Sequence, residues 1–121
     1  MLMTTLHWKT RLPRTVVLPY HPFGKQYVVI GSLAGRPSDP VWATNVRAHS
    51  STWLRVGGEQ LACDAHIAKG EERERLWREI SGDGAYMAYQ ESAYPRVLPV
   101  VVHTPIDTRQ QRKPAIDRAE T

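Results

Sequence analysis

Basic, hydroxyl and aromatic side chains along this chain of 121 residues could together hold a phosphorylated molecule that carries a planar ring. Lysine or arginine beside a hydroxyl can clamp a phosphate through charge-assisted hydrogen bonds. Aromatic rings can wall a planar site, and hydroxyls can orient a carbonyl or nitro group. The alternative is that the aromatic residues are simply core and the bases simply solvated. The candidate side chains are Lys9, Thr10 and Arg14 near the start, Ser32 at a strand end, Trp42 and Asn45 on a helix, and Tyr86 and Tyr89 late in the chain.

Other common chemistries have no motif in the sequence. It contains no P-loop, no GxGxxG after a strand, no GxSxG and no HExxH. The five histidines are scattered without the spacing of metal ligands, so we expect no metal site. Cys63 is the only cysteine, so an intrachain disulfide is excluded. Its small and apolar neighbours predict a buried structural thiol.

The net charge of +4 is unevenly placed along the chain. Residues 1–38 carry five bases and no acid, whereas the remaining residues carry 11 bases and 12 acids. This asymmetry indicates an anionic partner for the first third of the chain. Nucleic acid, a membrane surface and a phosphorylated cofactor all fit the charge pattern.

Short alternating apolar segments predict a mainly β fold with short helices, of the α+β class, arranged as a small barrel. We expect segments 14–20 and 26–32 to form a hairpin around HPFGK, and Gly57-Gly58 to join a second hairpin. Asp39 is the expected N-cap of the first helix, with Pro40 as its first residue. The predicted strands cover about 1–5, 14–20, 26–32, 51–56, 59–69 and 97–105, and the predicted helices 39–50, 70–80 and 84–94.

The chain is long enough for one domain, which we place at residues 1–106. Residues 107–121 are poor in apolar side chains and predict a flexible C-terminal tail. No run approaches the roughly 18 apolar residues of a transmembrane helix, and the N-terminus lacks the pattern of a signal peptide. We therefore expect a cytoplasmic location, with peripheral contact to a membrane left open.

Five segments in order resemble the deazaflavin (F420)-dependent nitroreductases, also described as F420H2-dependent quinone reductases. That family shows TTxGRKSGxPRxxPLxY, a strand ending in ASKGG, a helix PxWxxNLxA, a YxxYxxYQ stretch and a closing IPVVVxxP. The resemblance covers about residues 1–105. The corresponding segments here are TTLHWKTRLPRTVVLPY, VVIGSLAG, DPVWATNVRAH, AYMAYQ and LPVVVHTP.

The resemblance implies a six-stranded antiparallel split β-barrel, similar to FMN-binding proteins, that binds coenzyme F420, with FMN the weaker candidate. It implies hydride transfer from reduced F420 to a quinone, a nitroaromatic compound or a related small-molecule acceptor, and it allows a homodimer. The roles it implies are Lys9, Thr10, Arg11 and Arg14 at the cofactor phosphate, Ser32 and Leu33 at the ring, Trp42 and Asn45 beside the cofactor, and Ser32, Tyr86 and Tyr89 at the acceptor.

Several positions depart from the family pattern. His7-Trp8 replaces Gly-Arg, Arg11 replaces a turn glycine, and Leu33-Ala34 replaces Lys-Gly. Asp83 stands where the first tyrosine of the triplet is expected, and the helix that precedes the first strand in the family is missing, so the true start could lie upstream.

These departures leave two alternatives beside the oxidoreductase. One is a non-catalytic relative that binds another flavin or an apolar ligand. The other is a small basic barrel that binds nucleic acid, although too few aromatic residues accompany the bases to favour it.

Overall fold

A computed structural model describes residues 1–106 and 118–119. Seven strands form an antiparallel sheet, and an eighth short strand pairs in parallel with its edge; the order is β3-β4-β7-β6-β5-β1-β2-β8. The elements are β1 Leu2–Leu6, β2 Pro13–Val17, β3 His21–Phe23, β4 Gln26–Ile30, α1 Val41–Ala48, β5 Ser51–Val56, β6 Glu59–Ile67, α2 Gly70–Ile80, α3 Ala85–Ala93, β7 Val100–Pro105 and β8 Arg118–Ala119.

The sheet is buried on both faces, which explains why its central strands are so apolar. In β4, Val29 packs with α1 on one face, while Val28 and Ile30 pack with α2 and α3 on the other. β7 follows the same rule, with Val101 facing α1 and its two neighbours facing α2 and α3. A strand with both faces covered loses the usual apolar–polar alternation. The run VVV in β7 is therefore a consequence of its central place in the sheet.

Helix α1 covers the face of the sheet that becomes the inside of the barrel. Trp42, Ala43 and Val46 are buried there among residues from β1, β4, β5, β6 and β7. Their i, i+1 and i+4 spacing places them on one side of the helix. This apolar side of the helix faces the core of the protein.

The prediction that Asp39 caps this helix is wrong. Pro40 occupies the N-cap position, and the helix begins at Val41 without a side-chain cap. The Asp39 carboxylate instead forms an ion pair with Arg47 at 2.8 Å and accepts a hydrogen bond from Arg96 at 2.7 Å. Two charged partners outcompete a single backbone N–H for one carboxylate.

The structure also corrects the predicted number of strands and the first hairpin. β2 pairs with β1, while His21–Phe23, expected to lie in a turn, forms β3 and pairs with β4 around Gly24. Pro19 lacks an N–H and cannot continue the ladder of β2, so the chain leaves that strand early. The hairpin at Gly57-Gly58, between β5 and β6, is confirmed.

The expected barrel is open rather than closed, because β3 and β8 stand at opposite ends of the strand order. Of the segment predicted to be a tail, Arg118–Ala119 forms a short strand beside β2; residues 107–117 and 120–121 lie outside the described part of the chain. No helix among the described residues is long and apolar enough to cross a membrane.

Burial raises the pKa of the Cys63 thiol to about 12, which suits the structural role predicted for it.

His103 is a buried polar residue in the middle of the core. It is fully inaccessible, and its Nδ1 atom lies 2.9 Å from the Thr52 hydroxyl. Burial, together with the smaller effect of the charge on nearby His66, lowers the pKa of His103 to about 4. The folded protein thus keeps this imidazole neutral.

This burial predicts a loss of stability in mild acid. Between about pH 6.5 and pH 4 the unfolded chain binds a proton at His103 that the folded chain does not, so the free energy of unfolding falls as the pH falls. Urea unfolding at pH 7 and pH 4 should show that the wild type loses roughly 3 kcal/mol more than His103→Gln, which cannot titrate. Parallel pH profiles for the two proteins would contradict the assignment.

Candidate functional site

A cavity of about 420 Å³ lies between strand β2 and helix α1, and we call the surface along β2 from this cavity to Arg14 the groove. The cavity lies where β2 ends and α1 begins. Three of its apolar lining residues, Val17, Leu33 and Val41, are also exposed to solvent at its rim. The cavity is lined by Val16, Val17, Leu18, Leu33, Ser38, Asp39, Pro40, Val41 and Trp42.

The register of β2 places Arg14 at the other end of this groove. Arg14 is opposite Thr5 and Val16 is opposite Met3, so both side chains lie on the face that α1 covers. Leu18, at the cavity, is four residues beyond Arg14, which corresponds to roughly 13 Å of extended chain. A molecule that lies along the groove can therefore contact a basic end and an apolar end at once.

The β1–β2 loop, residues 7–12, closes the basic end. His7 organises it: its Nδ1 atom accepts hydrogen bonds from the backbone N–H groups of Lys9 and Thr10 at 3.2 and 3.3 Å. Arg11 adopts the left-handed conformation with a φ of 63°, at the position where the family pattern has glycine. The backbone thus keeps a glycine-like turn despite a residue that costs more to place there.

Two predicted phosphate ligands in this loop are open to solvent. Lys9 and Arg11 are both exposed. Among the described residues, no hydrogen bond or ion pair engages the Lys9 ammonium or the Arg11 guanidinium. Arg14, by contrast, is half-buried and donates from its Nη1 atom to the Pro13 carbonyl at 3.2 Å. The loop therefore presents two uncommitted cations beside one that is already oriented.

Asn45, on helix α1, connects this loop to the helix through a hydrogen bond. Its Oδ1 atom accepts from the Trp8 backbone N–H at 2.8 Å, and its Nδ2 atom donates to the Thr5 hydroxyl at 3.0 Å. Asn45 is fully buried, so its amide acts on the position of the loop. Direct contact between Asn45 and a cofactor stays a prediction.

Leu33 lines the opposite side of the cavity, and the segment 31–36 to which it belongs is held by Arg96. The Arg96 guanidinium donates to the carbonyl oxygens of Gly31, Ser32 and Arg36 at 2.9–3.0 Å and to the Asp39 carboxylate at 2.7 Å. The analysis of the sequence missed Arg96. It lies at least 57 positions from each of these partners, so no local spacing could indicate the contacts.

Glycine is required at Gly35 in this segment. It has a φ of 75°, and a Cβ atom there would lie 2.8 Å from Cβ of Ser92 and 2.9 Å from the Tyr89 carbonyl oxygen. Helix α3 therefore packs directly on the Leu33–Gly35 turn.

The tyrosines predicted for the acceptor site lie on α3, on the far side of this turn. The hydroxyl of Tyr86 is 3.0 Å from Nε2 of His21, and its ring packs edge-on against that of Tyr89 at a centroid distance of 6.4 Å. Tyr86 packs against the core cluster under α2 and α3, and Tyr89 is partly exposed. Neither lines the cavity.

The structure thus brings most of the predicted site together and leaves part of it aside. Leu33 and Trp42 line the cavity, whereas Ser32 is next to Leu33 in the sequence and is not among the lining residues. The bases and Thr10 gather at the other end of the groove, while Tyr86 and Tyr89 are separated from it by the Leu33–Gly35 turn. No group of three or more potential metal ligands occurs in the described part of the chain.

Comparison of the sequence with known protein families gives a match over nearly the whole described chain. The family model of F420H(2)-dependent quinone reductases matches residues 1–105. The chain belongs to this family. An F420H(2)-dependent quinone reductase of Mycobacterium tuberculosis is 32% identical over 108 residues, which span 86% of this chain and 72% of that protein.

Solved structures agree with the family assignment. A crystallised F420-H2 dependent reductase shares 30% identity and superposes with a TM-score of 0.75, covering 84% of this chain and 90% of that one. A domain-swapped dimer superposes equally well at 30% identity, covering 84% of this chain and 77% of that one. A FAD-binding protein from Mesorhizobium loti, at 10% identity and a TM-score of 0.55, covers 88% of this chain and 80% of its own, and shares the fold alone.

The buried Asn45 amide yields a prediction for this member of the quinone reductase family. Asn45→Ala should lower the free energy of unfolding by about 1–3 kcal/mol, because the Thr5 hydroxyl and the Trp8 N–H lose their partner. Urea denaturation followed by tryptophan fluorescence measures the change. The exposed neighbour Thr44→Ala should stay within about 0.5 kcal/mol of wild type. Equal stability of the two variants would show that the hydrogen bonds of Asn45 do not contribute to the stability of the fold.

Proposed function

We propose that the groove between β2 and α1 binds reduced F420 and that the protein is an F420-dependent oxidoreductase with a quinone as its acceptor. The observation that carries this proposal is the polarity of the groove: a basic loop at one end and an apolar cavity walled by Trp42 at the other. A cofactor with a phosphate on one side and a planar ring on the other matches both ends. The names of the similar proteins support the same cofactor.

At the basic end, Lys9, Arg11 and Arg14 would hold the cofactor phosphate, with the Thr10 hydroxyl as a further hydrogen-bonding group. Charge-assisted hydrogen bonds to phosphate are strong and directional, and Arg14 is half-buried, where such bonds are screened least. Family members have one further base, at the position of Trp8. Arg11, in a left-handed turn of the same loop, supplies a cation close to that position.

At the apolar end, Leu33 and Trp42 would flank the ring. A carboxylate lines this cavity as well, which would ordinarily disfavour an anionic cofactor. Asp39, however, is paired with the largely buried Arg96 guanidinium at 2.7 Å, so its charge is compensated within the protein. The residues present therefore fit F420 in both charge and shape.

Bound F420H2 supplies the hydride for the reaction. The protein's part is to orient the acceptor beside the ring and to stabilise the negative charge that develops on the acceptor oxygen. We assign the hydrogen bond to this oxygen to Ser32, which is half-buried and adjacent to the cavity wall. Tyr89, on the other side of the Leu33–Gly35 turn, would border the acceptor. Nitroaromatic compounds, whose oxygens accept the same hydrogen bond, are proposed as alternative acceptors.

One observation favours a second candidate, a non-catalytic protein that binds another flavin or an apolar ligand. The N–H groups of Lys9 and Thr10 are already bonded to His7, so they are not free to bind a phosphate while that bond lasts. Leu33 and Ala34 also stand where the family has Lys-Gly, which removes one cation from the ring side. FMN is the appropriate competitor for testing this reading.

We also propose that the protein forms a homodimer. A similar solved structure is a domain-swapped dimer. The open sheet offers the short edge strand β3, which has a single strand partner among the described residues, as a place for such exchange.

The cofactor assignment predicts the effect of removing each base. Lys9→Ala and Arg14→Ala should each weaken F420 binding about ten- to a hundredfold, because each removes one charged contact to the phosphate. Tryptophan fluorescence titration measures the dissociation constant. Lys25→Ala is the matched control, since it removes an equal charge from the exposed β3–β4 turn.

FMN titrated in parallel separates the two candidates. Tighter binding of FMN than of F420 to the folded wild type would support the second candidate. Equal effects of Lys9→Ala and Lys25→Ala would show that the loop attracts the cofactor only through net charge.

The acceptor assignment predicts a loss of turnover without a loss of cofactor affinity. Ser32→Ala should lower kcat for menadione by about tenfold or more while the dissociation constant of F420 changes little, because the hydroxyl acts only as charge develops. Tyr86→Phe should affect stability more than kcat, since its hydroxyl is bonded to His21. A normal kcat for Ser32→Ala together with a large loss for Tyr89→Phe would transfer the role to Tyr89.

A further inference from the structure

The guanidinium of Arg96 sits among four acceptors that belong to one stretch of chain. Its Nε atom donates to the Arg36 carbonyl at 2.9 Å, Nη1 to the Gly31 carbonyl at 3.0 Å, and Nη2 to the Ser32 carbonyl at 2.9 Å. Nη1 also donates to the Asp39 carboxylate at 2.7 Å. The side chain is only 11% exposed. Three of these bonds come from the two ends of the segment 31–36 and the fourth from Asp39 just beyond it, so together they hold the two ends of the segment close to each other.

The segment that Arg96 holds contains backbone that needs support from its surroundings. Leu33 and Ala34 lie in the left-handed region with φ values of 42° and 52°, which non-glycine residues rarely adopt. Within the segment, the backbone bonds of the turn are those of Gly35 to Ser32 and of Arg36 to Leu33. Strained backbone of this kind persists only where surrounding contacts over-determine it. Arg96 supplies three of those contacts, beside the packing of α3 on Gly35 and the bond from the Gly31 N–H to the Pro99 carbonyl.

Arg96 is itself held in place by helix α3. Its backbone N–H donates to the Ala93 carbonyl at 2.9 Å, and its carbonyl accepts from Nε2 of Gln90 at 2.6 Å. The Oε1 atom of Gln90 in turn accepts from the Leu98 N–H at 2.9 Å. The end of α3, the stretch after it and the segment 31–36 thus form one hydrogen-bonded unit.

The same unit borders the cavity. Leu33 and Asp39, which line it, belong to the chain that the four bonds of Arg96 hold, and Ser32 is bonded directly. Loss of these bonds would release the wall opposite β2 and Trp42. A planar ring gains from a rigid slot, because a wall that must be ordered on binding costs conformational entropy.

We infer that Arg96 is the positioning residue of the cofactor site: it fixes the segment 31–36 as the wall against which the ring of F420 binds. The role of Arg96 in F420 binding rests on the proposed function, whereas its role in holding the segment 31–36 does not. Lysine could not replace Arg96, because the four acceptors match the planar fork of a guanidinium and an ammonium is a single point donor.

The experiment compares Arg96→Lys and Arg96→Ala with Arg47→Gln, which also loses a bond to Asp39 but has no contact with segment 31–36 among the described hydrogen bonds. Hydrogen exchange at the amides of Gly35 and Arg36 reports the wall, and fluorescence titration reports F420 binding. Both Arg96 variants should exchange at least tenfold faster at these two amides and bind F420 at least tenfold more weakly. Arg47→Gln should stay within about threefold of wild type in both.

Rescue by added guanidinium ion distinguishes the loss of the Arg96 side chain from a general loss of stability, which the ion would not reverse. Added at millimolar concentration to Arg96→Ala, it should restore F420 affinity in part, while it leaves Arg47→Gln and the wild type unchanged. If Arg96→Ala does not fold, the exchange rates and F420 affinity of Arg96→Lys carry the test.

The outcomes separate this inference from the proposed function. A folded wild type that does not bind F420 overturns the proposed function, and the exchange rates then decide alone whether Arg96 fixes the segment. A wild type that binds F420, beside Arg96 variants with unchanged exchange and affinity, overturns the inference and leaves the proposed function standing.

Discussion

The structure depends on one constraint: a single antiparallel sheet with apolar side chains on both faces needs cover on both sides. Helices α2 and α3 cover one face, and α1 covers the other, where Trp42 and Val46 enter the core. Since one helix cannot cover the whole inner face of an open sheet, a gap remains beside β2. That gap is the groove. The candidate site is therefore a consequence of how the sheet is covered.

Buried polar contacts then determine the shape of the groove at both ends. Asn45 joins the β1–β2 loop to α1, and Arg96 joins the segment 31–36 to the end of α3. Both side chains are satisfied within the protein, and a buried polar group of this kind is costly to leave unpaired. These contacts fix the positions of the β1–β2 loop and the segment 31–36, while the side chains of Lys9 and Arg11 stay exposed. Rigid support behind accessible groups is the arrangement that a binding site needs.

The departures from the family pattern have local physical solutions. Arg11 adopts the left-handed turn that glycine would otherwise occupy, and His7 bonds two loop amides through its ring. At the other end, the positive φ values of Leu33 and Ala34 are held by contacts to Arg96 at both flanks of the turn. The loop thus adopts a glycine-like turn at Arg11 while its side chains differ from the family pattern. A phosphate at this loop would compete with the His7 ring for the N–H groups of Lys9 and Thr10.

The local sequence pattern was sufficient to predict much of the fold. The strands around Gly57-Gly58, the apolar side of α1 and the run of valines in β7 follow from side-chain periodicity and turn residues, which act over a few positions. It failed for β3, which is three residues long and contains a proline, and for Asp39, whose carboxylate looked like a helix cap. In both cases the deciding partner, a strand or an arginine, comes from elsewhere in the chain.

For the site, the sequence by itself determined which groups are available: a first third with bases and no acids, a tryptophan and an asparagine one helical turn apart, and the ordered segments that mark the family. Only the tertiary structure decided which of them meet. It brought Arg14, Trp42 and Leu33 to one groove, placed Tyr86 and Tyr89 behind the Leu33–Gly35 turn, and gave Arg96 its four acceptors. The physical reason is that composition and spacing express short-range preferences. Contacts across 57 or more positions arise only when the sheet and its helices have packed.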